Sequence, residues 1–246
     1  MHQSLTSSTN PMPSPSYLDR RQQLQEYFDR TAVRAWEQLT SEAPVSRIRQ
    51  TVRDGRDAMR TTLLDWLPED LSGKRLLDAG CGTGALSVEA ARRGADVVGV
   101  DISPTLIGLA DERRPRDVKG SIRFAAGDML AEEHGQFDYI VAMDSLIHYR
   151  PGDMAEALGA LRARTVGGDS RLLFTFAPRS AALMLLKNVG RLFPRGDRSP
   201  AIEPIEESYL RWFVRNTPAL DGVEVVRTHR VITRFYKSQA MELNAP

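Results

Sequence analysis

The sequence predicts an α/β fold: a mostly parallel, seven-stranded sheet with helices on both faces, a helical arm before it and an insertion after the fifth strand. Two observations predict it. Short β-type runs alternate with helical stretches from Arg75 onward, the pattern of βαβ units. The first of these runs ends in a glycine-rich turn, LLDAGCGTG at residues 76–84, that opens a helix. At 246 residues the chain suits one such domain with added segments, since single domains of about 200–250 residues are ordinary.

Residues 1–16, rich in Ser, Thr and Pro, read as a disordered tail and lack the basic and apolar regions of a secretory signal. From Tyr17 to Trp66 the periodicity is helical and charged, with breaks expected at Ala43-Pro44 and at Asp54-Gly55, which makes residues 17–66 an N-terminal arm of two or three helices. Residues 67–246 form the sheet domain. Its five parallel strands are expected at Arg75–Ala79, Asp96–Asp101, Ile122–Ala126, Phe137–Met143 and Arg171–Ala177, with helices from about Ala85 to Arg93, from Pro104, and from about Asp153 to Arg164. Pro178, which has no ladder donor, ends the fifth strand. Residues 179–215 hold an apolar helical piece, a turn-rich FPRGDRSP and a second helical piece, IEESYLRWFVRN, and read as an insertion over the functional face. Two late strands, Val223–Thr228 and about Val231–Lys237, complete the sheet.

Lys and Arg number 33 against 32 Asp and Glu, a net charge of +1, so no global basic field draws the chain to nucleic acid. A single cysteine, Cys81, excludes an intrachain disulfide and a Cys-rich zinc site and suits a reducing cytoplasm. No metal ligand set is expected. No run reaches the ~18 apolar residues that span a bilayer. Ala181–Phe193, apolar and interrupted by Lys187 and Arg191, has instead the character of a segment that lies on a membrane.

The glycine turn carries the chemistry. Gly80, Gly82 and Gly84 between an apolar strand and a helix start form a Rossmann-type first turn, where backbone approaches a ligand without Cβ interference. Asp78 sits just before the first glycine and the spacing is GxGxG, both unsuited to a dinucleotide phosphate. A carboxylate there suits a cationic ligand, and the ammonium and sulfonium of S-adenosylmethionine supply those charges. Asp101, twenty-one residues after Gly80 at the end of the second strand, is placed to accept both ribose hydroxyls, with Ile102 beside it. Asp128 and Met129, after the third strand, are assigned to the adenine amino group and ring face. Met143 and Asp144 end the fourth strand at the same crevice. Cys81 counts among the cofactor-binding residues as a small turn residue, without thiol chemistry.

Beyond these motifs, the segments YFDRTAVRAW, VSRIRQTVRDGRDAM, LLDAGCGTGALSVEAARRGADVVGVDIS and MDSLIHYRPGDM resemble the magnesium-protoporphyrin IX O-methyltransferase family, within the class I S-adenosylmethionine-dependent methyltransferases. The resemblance runs from about Tyr27 to the final strands. One departure is Thr31-Ala32-Val33, where a Gly-Phe pair is expected of the family. The resemblance implies methyl transfer to a propionate of magnesium-protoporphyrin IX in (bacterio)chlorophyll biosynthesis, contact with magnesium chelatase, and a cytoplasmic enzyme peripheral to the photosynthetic membrane.

His148, just past the fourth strand, is a candidate to hold the propionate; an ordinary surface histidine is the alternative. Tyr27, on the arm that the family uses as a lid, is the second catalytic candidate, against a core tyrosine. The basic run Arg47, Arg49, Arg53, Arg56 and Arg60 is either a solvated face or a partial propionate clamp, and Lys187, Arg191, Arg195 and Arg198 pose the same question in the insertion. Every cofactor residue would serve equally in a methyltransferase of another hydrophobic metabolite, such as a quinone precursor. A nucleotide-binding or redox protein is disfavoured by Asp78 and the glycine spacing. A noncatalytic S-adenosylmethionine-binding protein remains a third class.

Overall fold

The computed structural model describes residues 14–29, 47–179 and 202–244. Strands Arg75–Ala79 (β1), Asp96–Asp101 (β2), Ser121–Ala126 (β3), Tyr139–Ala142 (β4), Arg171–Phe176 (β5), Val225–Ile232 (β6) and Lys237–Asn244 (β7) form one sheet. Its order is β3-β2-β1-β4-β5-β7-β6. The first five strands are parallel, and β7 runs antiparallel to both of its neighbours. The order reverses at β1, so the crevice beyond the carboxyl ends of β1, β2 and β4 is where an open α/β sheet takes its ligand.

Alternation along the strands sends successive side chains to opposite faces. Leu77, Val98, Ile140 and Phe174 bury on one face, with Pro151–Arg162 (α5) and Glu207–Asn216 (α6) contributing to the same core. Leu76, Val97, Val141 and Leu173 bury on the other, with Arg47–Asp65 (α2) and Ala85–Arg92 (α3). Each face therefore needs a helical cover, and the alternation in the sequence supplies it. Pro104–Glu112 (α4) crosses from β2 to β3, capped by Ser103, whose hydroxyl accepts from the Leu106 N–H at 3.2 Å.

The first helix, Pro15–Tyr27 (α1), begins inside the stretch expected to be a disordered tail. Pro15 suits the first helical turn, and the Ser14 hydroxyl caps it by accepting from the Tyr17 N–H at 3.2 Å. Ser14 and Ser16 also donate to Asp153 at 2.7 and 2.6 Å, fastening α1 to the start of α5. The break expected at Asp54-Gly55 does not occur: α2 runs through it. Gly55 is there for packing, because a Cβ would lie 2.5 Å from the Tyr236 ring. The break expected at Ala43-Pro44 lies outside the described residues.

The late strands differ most from expectation. The first reaches Ile232, the turn occupies Thr233–Tyr236, and the last strand is KSQAMELN. The turn is closed by the Thr233 N–H on the Tyr236 carbonyl at 2.8 Å and the Tyr236 N–H on the Thr233 hydroxyl at 3.1 Å. The polar letters of β7 hid its burial. Glu242 is 0% exposed because Arg171 (2.7 Å) and Arg227 both ion-pair with it. Of the expected insertion at 179–215, α6 is observed, while Ala181–Phe193 with Lys187 and Arg191, and also Arg195 and Arg198, lie outside the described residues.

Candidate active site

The turn after β1 takes left-handed backbone at Gly80, Gly82 and Gly84 (φ 84, 55 and 79). Two of the three glycines also answer to packing: a Cβ on Gly80 would lie 2.3 Å from that of Ser145, and one on Gly84 would lie 2.5 Å from the Phe124 ring. A Cβ on Gly82 would meet nothing within 4 Å. Gly80 and Gly82 form part of the wall of a cavity at the carboxyl edge of the sheet.

Acidic residues at successive strand ends line that cavity. After β2, the buried Asp101 carboxylate accepts from the backbone N–H of Gly82 at 2.8 Å and of Ser103 at 2.9 Å, tying the glycine turn to the start of α4. Burial raises its pKa, and the Ser103 and Gly82 bonds partly oppose that rise. After β3, Asp128 accepts from the Leu130 N–H at 2.9 Å and from the Tyr17 hydroxyl at 3.1 Å, and it pairs with Arg21. After β4, Asp144 pairs with Arg56 at 3.1 Å and accepts from the hydroxyls of Tyr236 (3.1 Å), Ser238 (3.2 Å) and Thr175 (3.1 Å). Met129, Met143, Ile102 and Leu106 supply apolar wall.

The cavity is roofed by α1. Tyr17, Arg21, Leu24 and Phe28 all line it, and their spacing puts them on one helical face. Tyr17 stacks on Tyr149, with ring centroids 4.7 Å apart at 16°. Burial, then Tyr149, then Asp128 push the Tyr17 hydroxyl far above its ordinary pKa, so it is a donor at every accessible pH. His148, in the turn Leu146–His148, is buried on the cavity wall with the Phe28 ring edge-on at 6.2 Å.

Of the residues expected at the cofactor, Gly80, Gly82, Asp101, Ile102, Asp128, Met129 and Met143 line this one cavity, and so does His148. Three others do not. Asp78 is turned beneath the glycine turn, where the Ser87 hydroxyl donates to it at 2.6 Å. Burial, against the Ser87 bond and with help from Asp101, pushes its pKa up to about 6. Cys81 is likewise absent from the cavity wall; burial, then Asp78 and Asp101, push its thiol well above the ordinary value. Tyr27 is half-buried with its edge on Phe28, and it is Phe28 that reaches the cavity. One residue of helix is a 100° rotation, enough to exchange a lining position for an outer one.

The reading of motifs missed Tyr17, Arg21, Leu24 and Phe28. Their signal was present as the 17, 21, 24, 28 spacing, concealed because Tyr17 lay beside a tail-like composition. The fit of S-adenosylmethionine rests on the walls themselves: open space at Gly82, an acceptor at each of three strand ends, and two methionines for an aromatic face.

Comparison with known proteins agrees with this geometry. Residues 76–167 match the model of a methyltransferase domain, and residues 142–245 match that of the magnesium-protoporphyrin IX methyltransferase C-terminus. The chain is 48% identical over 232 residues to the magnesium-protoporphyrin O-methyltransferase of Rhodobacter capsulatus, covering 94% of this chain and 99% of that one. Crystal structures of magnesium protoporphyrin IX methyltransferase from Synechocystis PCC 6803 superpose on it. The one with bound S-adenosylhomocysteine gives a TM-score of 0.78 at 28% identity, covering 92% of this chain and 100% of the other. The one with bound S-adenosylmethionine gives 0.76 at 25%, covering 93% and 98%. With a relative 48% identical across 94% of the chain and a family model matched over residues 142–245, this protein belongs to the magnesium-protoporphyrin O-methyltransferase family.

Proposed function

We propose that the protein transfers a methyl group from S-adenosylmethionine to a propionate carboxylate of magnesium-protoporphyrin IX, giving the monomethyl ester of (bacterio)chlorophyll biosynthesis. The observation that carries this reading is the match of residues 142–245, which begins beyond the glycine turn and includes His148, to the porphyrin methyltransferase family. A quinone-precursor methyltransferase would share the cofactor wall but gives no account of that segment.

S-adenosylmethionine supplies an electrophilic methyl on a sulfonium, attacked in line. A propionate, with a pKa of about 4–5 like that of Glu, is already ionised at pH 7, so no general base is required. The residues instead position and dry the reactants. Asp101 and Asp128 anchor the nucleoside end, Gly82 leaves room for it, and Met129 and Met143 cover apolar faces. His148, held by the Phe28 edge, orients the carboxylate, and α1 closes the cavity to water. Tyr27, in edge contact with the cavity-lining Phe28, is the second acceptor-side candidate.

The family resemblance also supports contact with magnesium chelatase and a cytoplasmic enzyme peripheral to the photosynthetic membrane. No helix among the described residues is long and apolar enough to cross a membrane. Flotation with anionic vesicles tests the membrane contact. Incubation with S-adenosylmethionine and magnesium-protoporphyrin IX, read as a methyl mass increment on the porphyrin, tests the reaction; an unmodified porphyrin overturns it.

A further inference from the structure

The solvent side of α6 carries a patch of aromatic rings. Leu210 and Val214 turn into the core, while Tyr209 and Trp212 remain 48% and 53% exposed. Their rings are parallel within 9°, with centroids 6.1 Å apart, and the Phe213 ring stands roughly perpendicular to both, at 4.8 and 5.2 Å. Single exposed apolar side chains are ordinary, but aromatics gathered into one patch mark a surface that binds something. Two parallel faces suit a flat, conjugated ligand on which both rings stack.

Tyr209 and Trp212 line a groove with Pro151 and Ile205, and that groove is tied to the turn carrying His148. The Glu203 N–H donates to the Ile147 carbonyl at 2.8 Å and the Ile205 N–H to that of Ala177 at 2.9 Å, which sets the approach to α6 against the turn after β4 and the end of β5. Pro151 lies three residues beyond His148, at most about 10 Å of chain. Between them stands Arg150, exposed and with no ion-pair partner among the described residues. Tyr149 has extended backbone and turns inward to stack on Tyr17, so the residues on either side of it, His148 and Arg150, project the other way.

We infer that this groove seats the tetrapyrrole ring of the acceptor, its face against Tyr209 and Trp212, with Arg150 paired to the propionate that is not methylated. The inference rests on the acceptor proposed above. Magnesium-protoporphyrin IX is a flat conjugated ring with two neighbouring propionates on one edge. With one propionate held at His148, its neighbour comes beside Arg150, and the ring lies back over Pro151 onto the aromatic patch. Shape and charge both match: aromatic faces for the ring, and an unpaired cation for the remaining carboxylate.

Porphyrin fluorescence, titrated at saturating S-adenosylhomocysteine so that binding occurs without turnover, tests this on the full chain. Trp212→Ala and Tyr209→Ala are each expected to raise the dissociation constant for magnesium-protoporphyrin IX about tenfold, the scale of one lost stacking contact, and Trp212→Phe to stay within about threefold of the parent. Affinity for S-adenosylhomocysteine, by calorimetry, stays within about twofold in all three. Arg150→Gln weakens the diacid about tenfold and leaves binding of the magnesium-protoporphyrin IX dimethyl ester unchanged, a distinction that a structural role would not produce. Parent-like porphyrin binding in both alanine variants overturns the inference. So does equal loss of porphyrin and S-adenosylhomocysteine, or an equal effect of Arg150→Gln on diacid and ester. Loss of flotation with anionic vesicles at unchanged porphyrin affinity assigns the patch to a lipid surface, and dissociation of a dimer by Trp212→Ala at unchanged porphyrin affinity assigns it to a second copy; either overturns it. A parent that binds no magnesium-protoporphyrin IX removes the proposed acceptor itself and this inference with it.

Discussion

The Tyr17 hydroxyl donates to the Asp128 carboxylate at 3.1 Å across 111 residues of sequence, so the first helix is fastened to the residue proposed to meet the adenine. Arg21 reinforces the bond, and the Tyr149 ring lies flat beneath Tyr17. Tyr17→Phe keeps the stack and removes only the bond, worth about 1.5–3 kcal/mol when the acceptor is charged. Amide exchange in Pro15–Tyr27 is expected to quicken by about tenfold or more, with β1–β5 unaffected. Unchanged exchange would show that the Tyr17–Asp128 bond does not help to fasten α1.

His148→Ala addresses the acceptor side. His148 is buried on the cavity wall, while Asp101 and Asp128, proposed for the ribose and adenine, stand at the ends of other strands, β2 and β3. Turnover is expected to fall about a hundredfold, the usual cost of misplacing a reacting group, with affinity for S-adenosylhomocysteine within about twofold of the parent. Steady-state kinetics at saturating donor, paired with calorimetry, measure both. Loss of cofactor affinity in proportion to turnover would move His148 to the donor side.

The five parallel strands were legible because each is a short apolar run closed by a turn signal, and strand-end positions such as Asp101 follow from strand ends. The antiparallel β7 was not: the last strand was expected at about Val231–Lys237, and Ser238, Gln239 and Glu242 beyond it are polar residues that only their partners on other strands make core. The same limit hid the roof that Tyr17, Arg21, Leu24 and Phe28 form over the cavity. Asp78 looked like a ligand because its charge has the right sign, but the inward side of a pleat is invisible without Ser87. Tyr27 and Phe28 differ by one residue, and periodicity does not fix which of the two faces the cavity.

Asp78 makes stability depend on pH in an unusual direction. Its pKa stands at about 6 against an ordinary 3.8. Below the lower value the group is neutral in both folded and unfolded chains and costs nothing. Between the two values the unfolded chain ionises while the folded chain keeps its proton, so stability falls as pH rises. Above 6 both are ionised and the whole penalty, about 3 kcal/mol for a shift of about two pH units, is present. Asp78→Asn, which preserves a partner for Ser87, should match the parent near pH 4 and exceed its stability by up to that amount at pH 7. Denaturant midpoints at the two pH values measure the difference. A gap independent of pH would show that Asp78 stays ionised in the fold.

Gly82 and Gly80 separate strain from site. Both have left-handed backbone, but a methyl on Gly80 runs into Ser145 whereas one on Gly82 projects into open space. Gly82→Ala is therefore expected to cost only the conformational strain, about 1–2 kcal/mol, and to fold. The same methyl displaces the ligand that the open space admits and distorts the N–H that Asp101 accepts, so affinity for S-adenosylhomocysteine should drop at least about tenfold. Gly80→Ala adds overlap with Ser145 to the strain and should lose considerably more stability. Thermal denaturation with calorimetry on the two variants tells them apart. A Gly82→Ala protein that binds the ligand at full strength would mean that the donor does not approach the turn at Gly82.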